Sequence, residues 1–264
     1  MHSITGYVPI NRLLSCVFHN RNRIYKFIPL DDPYAEMFHQ LKNVSSRYLP
    51  FFITTRTQVY DNLYETKWCR DLRSTNLLLR VQLLHVGRTS YSTVNELLHQ
   101  EDTDHRLAKV VHHVTLIDPE ARQPVPLPDD FIAKAQKWAV ESELPYKVQL
   151  TPPEGDVHNY STNIRWTDTD SHRHLNTVFY MKYAIDAAYD AIQAGKLANH
   201  VDADGTFRIK DFKMRFIRES LQGQEMRMAL WEAPGGILNV RMSIDGAVVN
   251  ESLITAHNFE VSKL

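Results

Sequence analysis

The sequence predicts an α+β fold made of two units in tandem, each a curved antiparallel sheet wrapped around a central helix. Three observations lead there. The chain reads twice as a helix followed by an antiparallel meander, a Pro-rich stretch separates the two readings, and the helix at 175–194 is apolar around most of its circumference. A helix of that kind must be enclosed by other structure, and a strongly curved sheet encloses it. The length of 264 residues allows one large domain or two of about 100 to 150.

The elements follow in order. From Val8 to Ile24 the apolar positions Ile10, Leu13, Leu14, Val17 and Phe18 recur at the spacing of one helical face, with Pro9 in the first turn. A polar stretch that reads as irregular comes next. The period then changes to two, with Leu77, Leu79, Val81 and Leu83 on one side of a strand. Further strands are predicted at 89–99 and 106–117, separated by turns at Val86-Gly87-Arg88 and at Gln100–Asp104. Prolines cluster between Asp118 and Gly155 around a helical stretch at 129–141. The boundaries are therefore 1–128 for the first unit, 129–155 for the linker and 156–264 for the second unit.

The second unit opens with a strand at 157–167, followed by the apolar helix. Its one polar stripe is Lys182, Asp186 and Asp190, four residues apart. Strands are predicted at 206–217, 224–232, 236–244 and 247–260, with Asp245-Gly246 as a hairpin turn between the last two. No residue-level repeat accompanies this shared order, so the repeat is architectural.

Composition narrows the function classes. Hydrophobic residues at 43% and charged residues at 23%, with 9 Gly and 12 Pro, describe a folded globular chain. A net charge of −1 supplies no field for nucleic acid or an anionic membrane, so neither is an expected partner. No apolar run is long enough to span a bilayer. Two cysteines, Cys16 and Cys69, form no disulfide framework, and a reducing, cytoplasmic setting is the natural expectation. The alternative is an organelle matrix, because residues 1–30 carry Arg12, Arg21, Arg23 and Lys26 without an acid.

The chemistry concentrates at Asp168-Thr-Asp-Ser-His-Arg-His174, between a strand and the apolar helix. Four readings of it compete. Asp, Thr and Ser are favoured helix caps and suit the positive end of the dipole. His-x-His with an Asp could ligate a metal, although no further Cys or His cluster adjoins it in sequence. A carboxylate or imidazole could act as general base beside helix N–H groups that polarise a carbonyl. The same groove could bind an acyl-pantetheine without turnover. Elsewhere, adjacent His112 and His113 should face opposite sides of a strand, one packed and one exposed, and His257 reads the same way. Cys16 reads as a buried core cysteine and Cys69 as incidental. No serine stands in a Gly-x-Ser-x-Gly context.

The stretch Ile164-Arg-Trp-Thr-Asp-Thr-Asp-Ser-His-Arg-His-Leu-Asn-Thr-Val-Phe-Tyr180 resembles the signature of the 4-hydroxybenzoyl-CoA and acyl-ACP thioesterases of the hot-dog superfamily. Lys213-Met-Arg-Phe-Ile-Arg-Glu219 is similar to the segment of plant-type acyl-ACP thioesterases that ends in a functional glutamate. Ile53–Gln58 and the 77–118 meander are similar to their first hot dog. The resemblance thus implies a tandem double hot dog that hydrolyses acyl-CoA or acyl carrier protein thioesters, with no cofactor and no metal.

Carried over by position, the resemblance makes Asp170, His174 and Glu219 catalytic, with His172, Arg173 and Asn176 as substrate-binding residues. His172 stands where the acyl-ACP enzymes have a functional Asn, Ser220 where they often have a Cys, and Arg173 where a small residue or Gly is usual. Arg173 would alter the loop's backbone or reach a phosphate of the carrier. The amides near His174–Asn176 are expected to polarise the carbonyl, Asp170 or Glu219 to activate water, and Asp170 to hold the His174 tautomer. The first half carries no such motif and is expected to shape the acyl pocket. Its first strand is expected to be absent, the strand being dispensable, the sequence truncated or the start a processed peptide. Two hot dogs in one chain can pair internally, so a monomer satisfies the fold and a homodimer is the alternative.

Overall fold

A computed structural model describes residues 48–64, 77–99, 106–137, 139, 146–170, 173–197, 200–201 and 206–257. The predicted N-terminal helix, Cys16, Cys69 and the Gln100–Asp104 turn lie outside these residues. In the first half the strands are β1 (Leu49–Val59), β2 (Leu77–Val86), β3 (Ser90–His99) and β4 (Arg106–Ile117), followed by the short helix α1 (Asp129–Ala135). The second half supplies β5 (His158–Asn163), helix α2 (Thr177–Gln193), β6 (Ile209–Phe216), β7 (Glu225–Ala233), β8 (Ile237–Ile244) and β9 (Ala247–Ala256).

Among the described residues, nine strands join one antiparallel sheet in the order β2-β3-β4-β1-β6-β9-β8-β7-β5. The predicted meanders are both present, and Asp245 (φ 49°) with Gly246 (φ 77°) makes the tight hairpin turn between β8 and β9. Two positive φ angles in succession define the turn type whose twist matches the strands it joins.

One strand departs from the sequence reading. The stretch before Leu77, read as polar and irregular, contains β1, which lies inside the sheet next to the central strand β6. Alternation of apolar and polar residues does not reveal it, because three of its four buried positions, Thr54, Thr55 and Thr57, are threonines. Threonine is β-branched and suits a pleated surface, a preference that hydropathy patterning misses. β1 and β6 form the seam between the halves, with Thr55 opposite Met214 and Thr57 opposite Phe212. Arg56 clamps Asp211 across it with two hydrogen bonds, of 2.9 and 3.1 Å.

Helix α2 begins where Asn176 accepts a hydrogen bond from the Val178 amide (3.2 Å), a side-chain cap for the helix's unpaired first turn. Val178, Tyr180, Met181 and Tyr183 are buried on it, and Ala184, Ala187, Ala188 and Ala191 are fully buried, so the helix lies close on the sheet. The predicted polar stripe is satisfied locally. Lys182 pairs with Asp186 (2.5 Å), and Asp190 meets His158 Nε2 (2.7 Å) from β5.

α1 ends at Ala135 rather than 141 and is followed by a turn at 136–137. Its Phe131 and Ala135 pack on Leu83, Tyr91, Val114 and Leu116, so this linker segment belongs to the first half's core. His112 and His113 correct a second expectation, since both are buried. Adjacent strand residues do face opposite sides, but here both faces are covered. His112 Nδ1 lies 3.2 Å from Thr55 Oγ1 on one face, and His113 Nδ1 lies 2.9 Å from Ser92 Oγ on the other. Burial and the neighbouring His85 push the His113 pKa down. His257 is a tethering residue, with Nδ1 2.7 Å from Asp61 and Nε2 3.2 Å from the Val59 carbonyl oxygen.

Candidate active site

β5 leads through a short 3-10 turn (Trp166–Asp168) into the loop that ends at the α2 N-terminus. The two carboxylates of this segment part company. Asp168 is buried and accepts a hydrogen bond from the Tyr183 hydroxyl (2.7 Å), while its carbonyl accepts the Asn176 amide (3.0 Å). It pins the loop to α2. Burial and the Asp168 carboxylate raise the Tyr183 pKa.

Asp170 is exposed and closes the loop on itself. Its amide donates to the His174 carbonyl (2.8 Å), its Oδ1 accepts the His174 amide (3.1 Å), and its carbonyl accepts the Arg173 amide (3.0 Å). Asp170 therefore fixes the His174 backbone. The tight return puts Arg173 at φ 63°, in the left-handed region that explains why a small residue or Gly suits this position. Arg173 is exposed, and its side chain makes no hydrogen bond or ion pair among the described residues. His172 lies outside them.

The other wall is the segment after β6. His174 bridges to Leu221, the Leu175 amide donates to the Ser220 carbonyl (2.7 Å), and the Gln222 amide donates to Arg173 (3.2 Å). This short ribbon brings Glu219 beside the histidine, with His174 Nδ1 3.7 Å from Glu219 Oε1. The second oxygen of Glu219 is held by Arg122 Nη2. Ser220 points the other way, fully buried, and its Oγ accepts the Tyr180 hydroxyl (2.9 Å). Burial pushes the Tyr180 pKa up to about 12.

Arg122 escaped the sequence reading. It comes from the turn after β4, at the other side of the chain's midpoint, and no local motif marks it. Asp118 builds that turn by accepting the amides of Glu120 and Ala121 (both 2.8 Å) on Oδ1 and the Arg122 amide (2.9 Å) on its carbonyl. Arg122 itself sits at φ 56°. A turn of this construction holds a cation over Glu219 from the first half.

The amides around the start of α2 differ in whether they are engaged. The amides of His174, Leu175 and Asn176, expected to face substrate, are already engaged by Asp170, Ser220 and Asp168. Among the described residues, the Thr177 amide and Asn176 Nδ2 carry no hydrogen bond, and both stand at the helix N-terminus where partial positive charge gathers. No group of three or more His, Cys, Asp or Glu side chains among the described residues is arranged to hold a metal ion.

No known family profile matches the chain, and no curated protein sequence matches it. Solved structures do. The 12:0-ACP thioesterase from Umbellularia californica is similar with a TM-score of 0.66 at 14% identity, over 98% of this chain and 95% of that one. An acyl-ACP thioesterase from Bacteroides thetaiotaomicron is similar with a TM-score of 0.62 at 14% identity, over 97% and 92%. At such identity the likeness defines the fold. This chain is an α+β tandem double hot dog, as the sequence predicted, with α2 as the filling of its second half.

Proposed function

We propose that this protein hydrolyses acyl thioesters, releasing a free acid from acyl-CoA or from an acylated carrier protein. The observation that carries the proposal is the meeting of Glu219 and His174 at the N-terminus of α2, beside two uncommitted N–H donors. Similarity of fold to two acyl-ACP thioesterases supports the same class of chemistry.

The reaction needs a polarised carbonyl and an activated water. The Thr177 amide and Asn176 Nδ2 receive the thioester oxygen and stabilise the oxyanion as it forms. His174 and Glu219 are separated by more than a direct hydrogen bond, a distance that a bridging water spans. Glu219 takes a proton from that water as the oxygen bonds to the carbonyl carbon. Collapse of the tetrahedral intermediate breaks the C–S bond, and the proton passes from Glu219 to the departing sulfur, giving a thiol and the acid. Asp170 holds the His174 peptide, and Arg173 faces the carrier's phosphates.

Thiol release from a panel of acyl-CoAs tests the proposal. Glu219→Gln should lower turnover by about 10²–10⁴-fold, the range removed with a general base. Asp170→Asn should lower it less, because it disturbs a backbone contact. Near-wild-type rates in both variants would refute the assignment. A second reading, binding of acyl-pantetheines without turnover, is favoured by the engagement of the 174–176 amides. Saturable binding with no thiol release would select it.

A further inference from the structure

The sheet face that carries α2 changes character in the first half. One rung of it runs Thr93, His112, Thr55, each opposite the next, and the adjacent rung runs Asn95, Val110, Thr57. Pairing of Thr55 with Met214 and of Thr57 with Phe212 places both rungs on the α2 side. Thr55 and Thr57 are 0% exposed, His112 2%, Thr93 3% and Asn95 6%. His112 and Thr55 are paired (3.2 Å), yet Thr57 Oγ1 is buried without a hydrogen-bond partner. A buried polar group left unpaired costs free energy that an apolar side chain in its place would not.

This polar face connects to the site through aromatic rings. Tyr180, bonded to Ser220 beside Glu219, meets Phe216 (5.3 Å between centroids). Phe216 meets Phe52 (6.4 Å), and Phe52 meets His112 edge-on (5.1 Å). These ring contacts run from the site to hydroxyls, an amide and an imidazole. A plain hydrocarbon offers those groups nothing.

We infer that the acyl group this protein accepts carries an oxygen substituent, a hydroxyl or keto group, that hydrogen-bonds to Thr57 and its neighbours Thr55, His112, Thr93 and Asn95. The inference rests on the thioesterase reading and names its substrate class. A site built to hydrogen-bond a substrate oxygen rejects the analogue that lacks it far more strongly than an apolar pocket rejects an added hydroxyl.

The test compares acyl-CoAs of equal length, plain or hydroxylated at successive carbons. One hydroxylated series should exceed the plain chain by at least about tenfold in kcat/KM, and Thr57→Val combined with Thr55→Val should abolish that preference. A plain chain preferred at every position would overturn the inference, as would undiminished preference in the double variant with its fold intact by circular dichroism. If that variant fails to fold, the wild-type series decides. Calorimetry with free hydroxylated and plain fatty acids separates the two proposals. If no thioester is cleaved, the hydrolase reading fails, while tighter binding of the hydroxylated acid still supports the pocket and equal binding overturns it.

Discussion

Replacing Arg173 with glycine should stabilise the protein and weaken it toward carrier-bearing substrates in one step. Arg173 sits at φ 63°, where an L-residue pays about 1–2 kcal/mol for the contact of Cβ with the backbone. Glycine escapes that cost but loses about 0.4–1 kcal/mol through the freedom it adds to the unfolded chain. The balance is a gain of up to about 1.6 kcal/mol, centred near about 0.8 kcal/mol, since the hydrogen bonds of the Arg173 peptide to Asp170 and Gln222 persist. For a chain of this size that raises Tm by roughly 2–4 °C per kcal/mol in a thermal melt. Arg173→Ala separates the two effects, because alanine keeps the backbone cost and removes the guanidinium. Both variants should raise KM for an acyl-CoA and leave a short pantetheine-type thioester without phosphates unaffected. A glycine variant that melts at or below the wild-type temperature would refute the strain argument. An alanine variant with unchanged KM would refute the phosphate contact.

Arg122→Gln should lower kcat by about tenfold or more with KM little changed, because one misplaced hydrogen bond at a reacting group costs that much, and Arg122→Lys should restore part of it. A rise in KM alone would instead mark Arg122 as a carrier contact. Alkaline pH should destabilise the fold through Tyr180, whose pKa is raised to about 12 against about 10 when unfolded. The stabilising contribution of its neutral form is complete below about pH 10 and is lost as pH rises through about 12. Tyr180→Phe should flatten this part of a stability-against-pH curve measured by denaturant unfolding, and an unchanged slope would exclude Tyr180 as its source.

What the sequence made legible divides along physical lines. α2 was readable because its apolar circumference and single wet stripe follow a 3.6-residue period, and the β8–β9 turn because Asp-Gly accepts positive φ. β1 was not, since its buried positions are mostly threonine. Asp170 and His174 were readable as neighbours at a strand-to-helix junction, and Glu219 through a resemblance. Arg122 reaches Glu219 from 97 residues away, and no local pattern encodes such a meeting. The burial of His112 and His113 depends on what covers each face of the sheet, which strand alternation alone does not state.

The seam between β1 and β6 joins two unlike halves within one polypeptide. In a pairing of identical subunits every substitution appears twice, so a change that improves a pocket on one side is imposed on the other. Covalent linkage lifts that constraint. The first half can carry a polar sheet face and a turn that aims Arg122 outward, while the second keeps the loop and helix that hold His174. Each half is free to accumulate substitutions the other could not tolerate, and the shared hydrogen bonds keep them in register while they diverge.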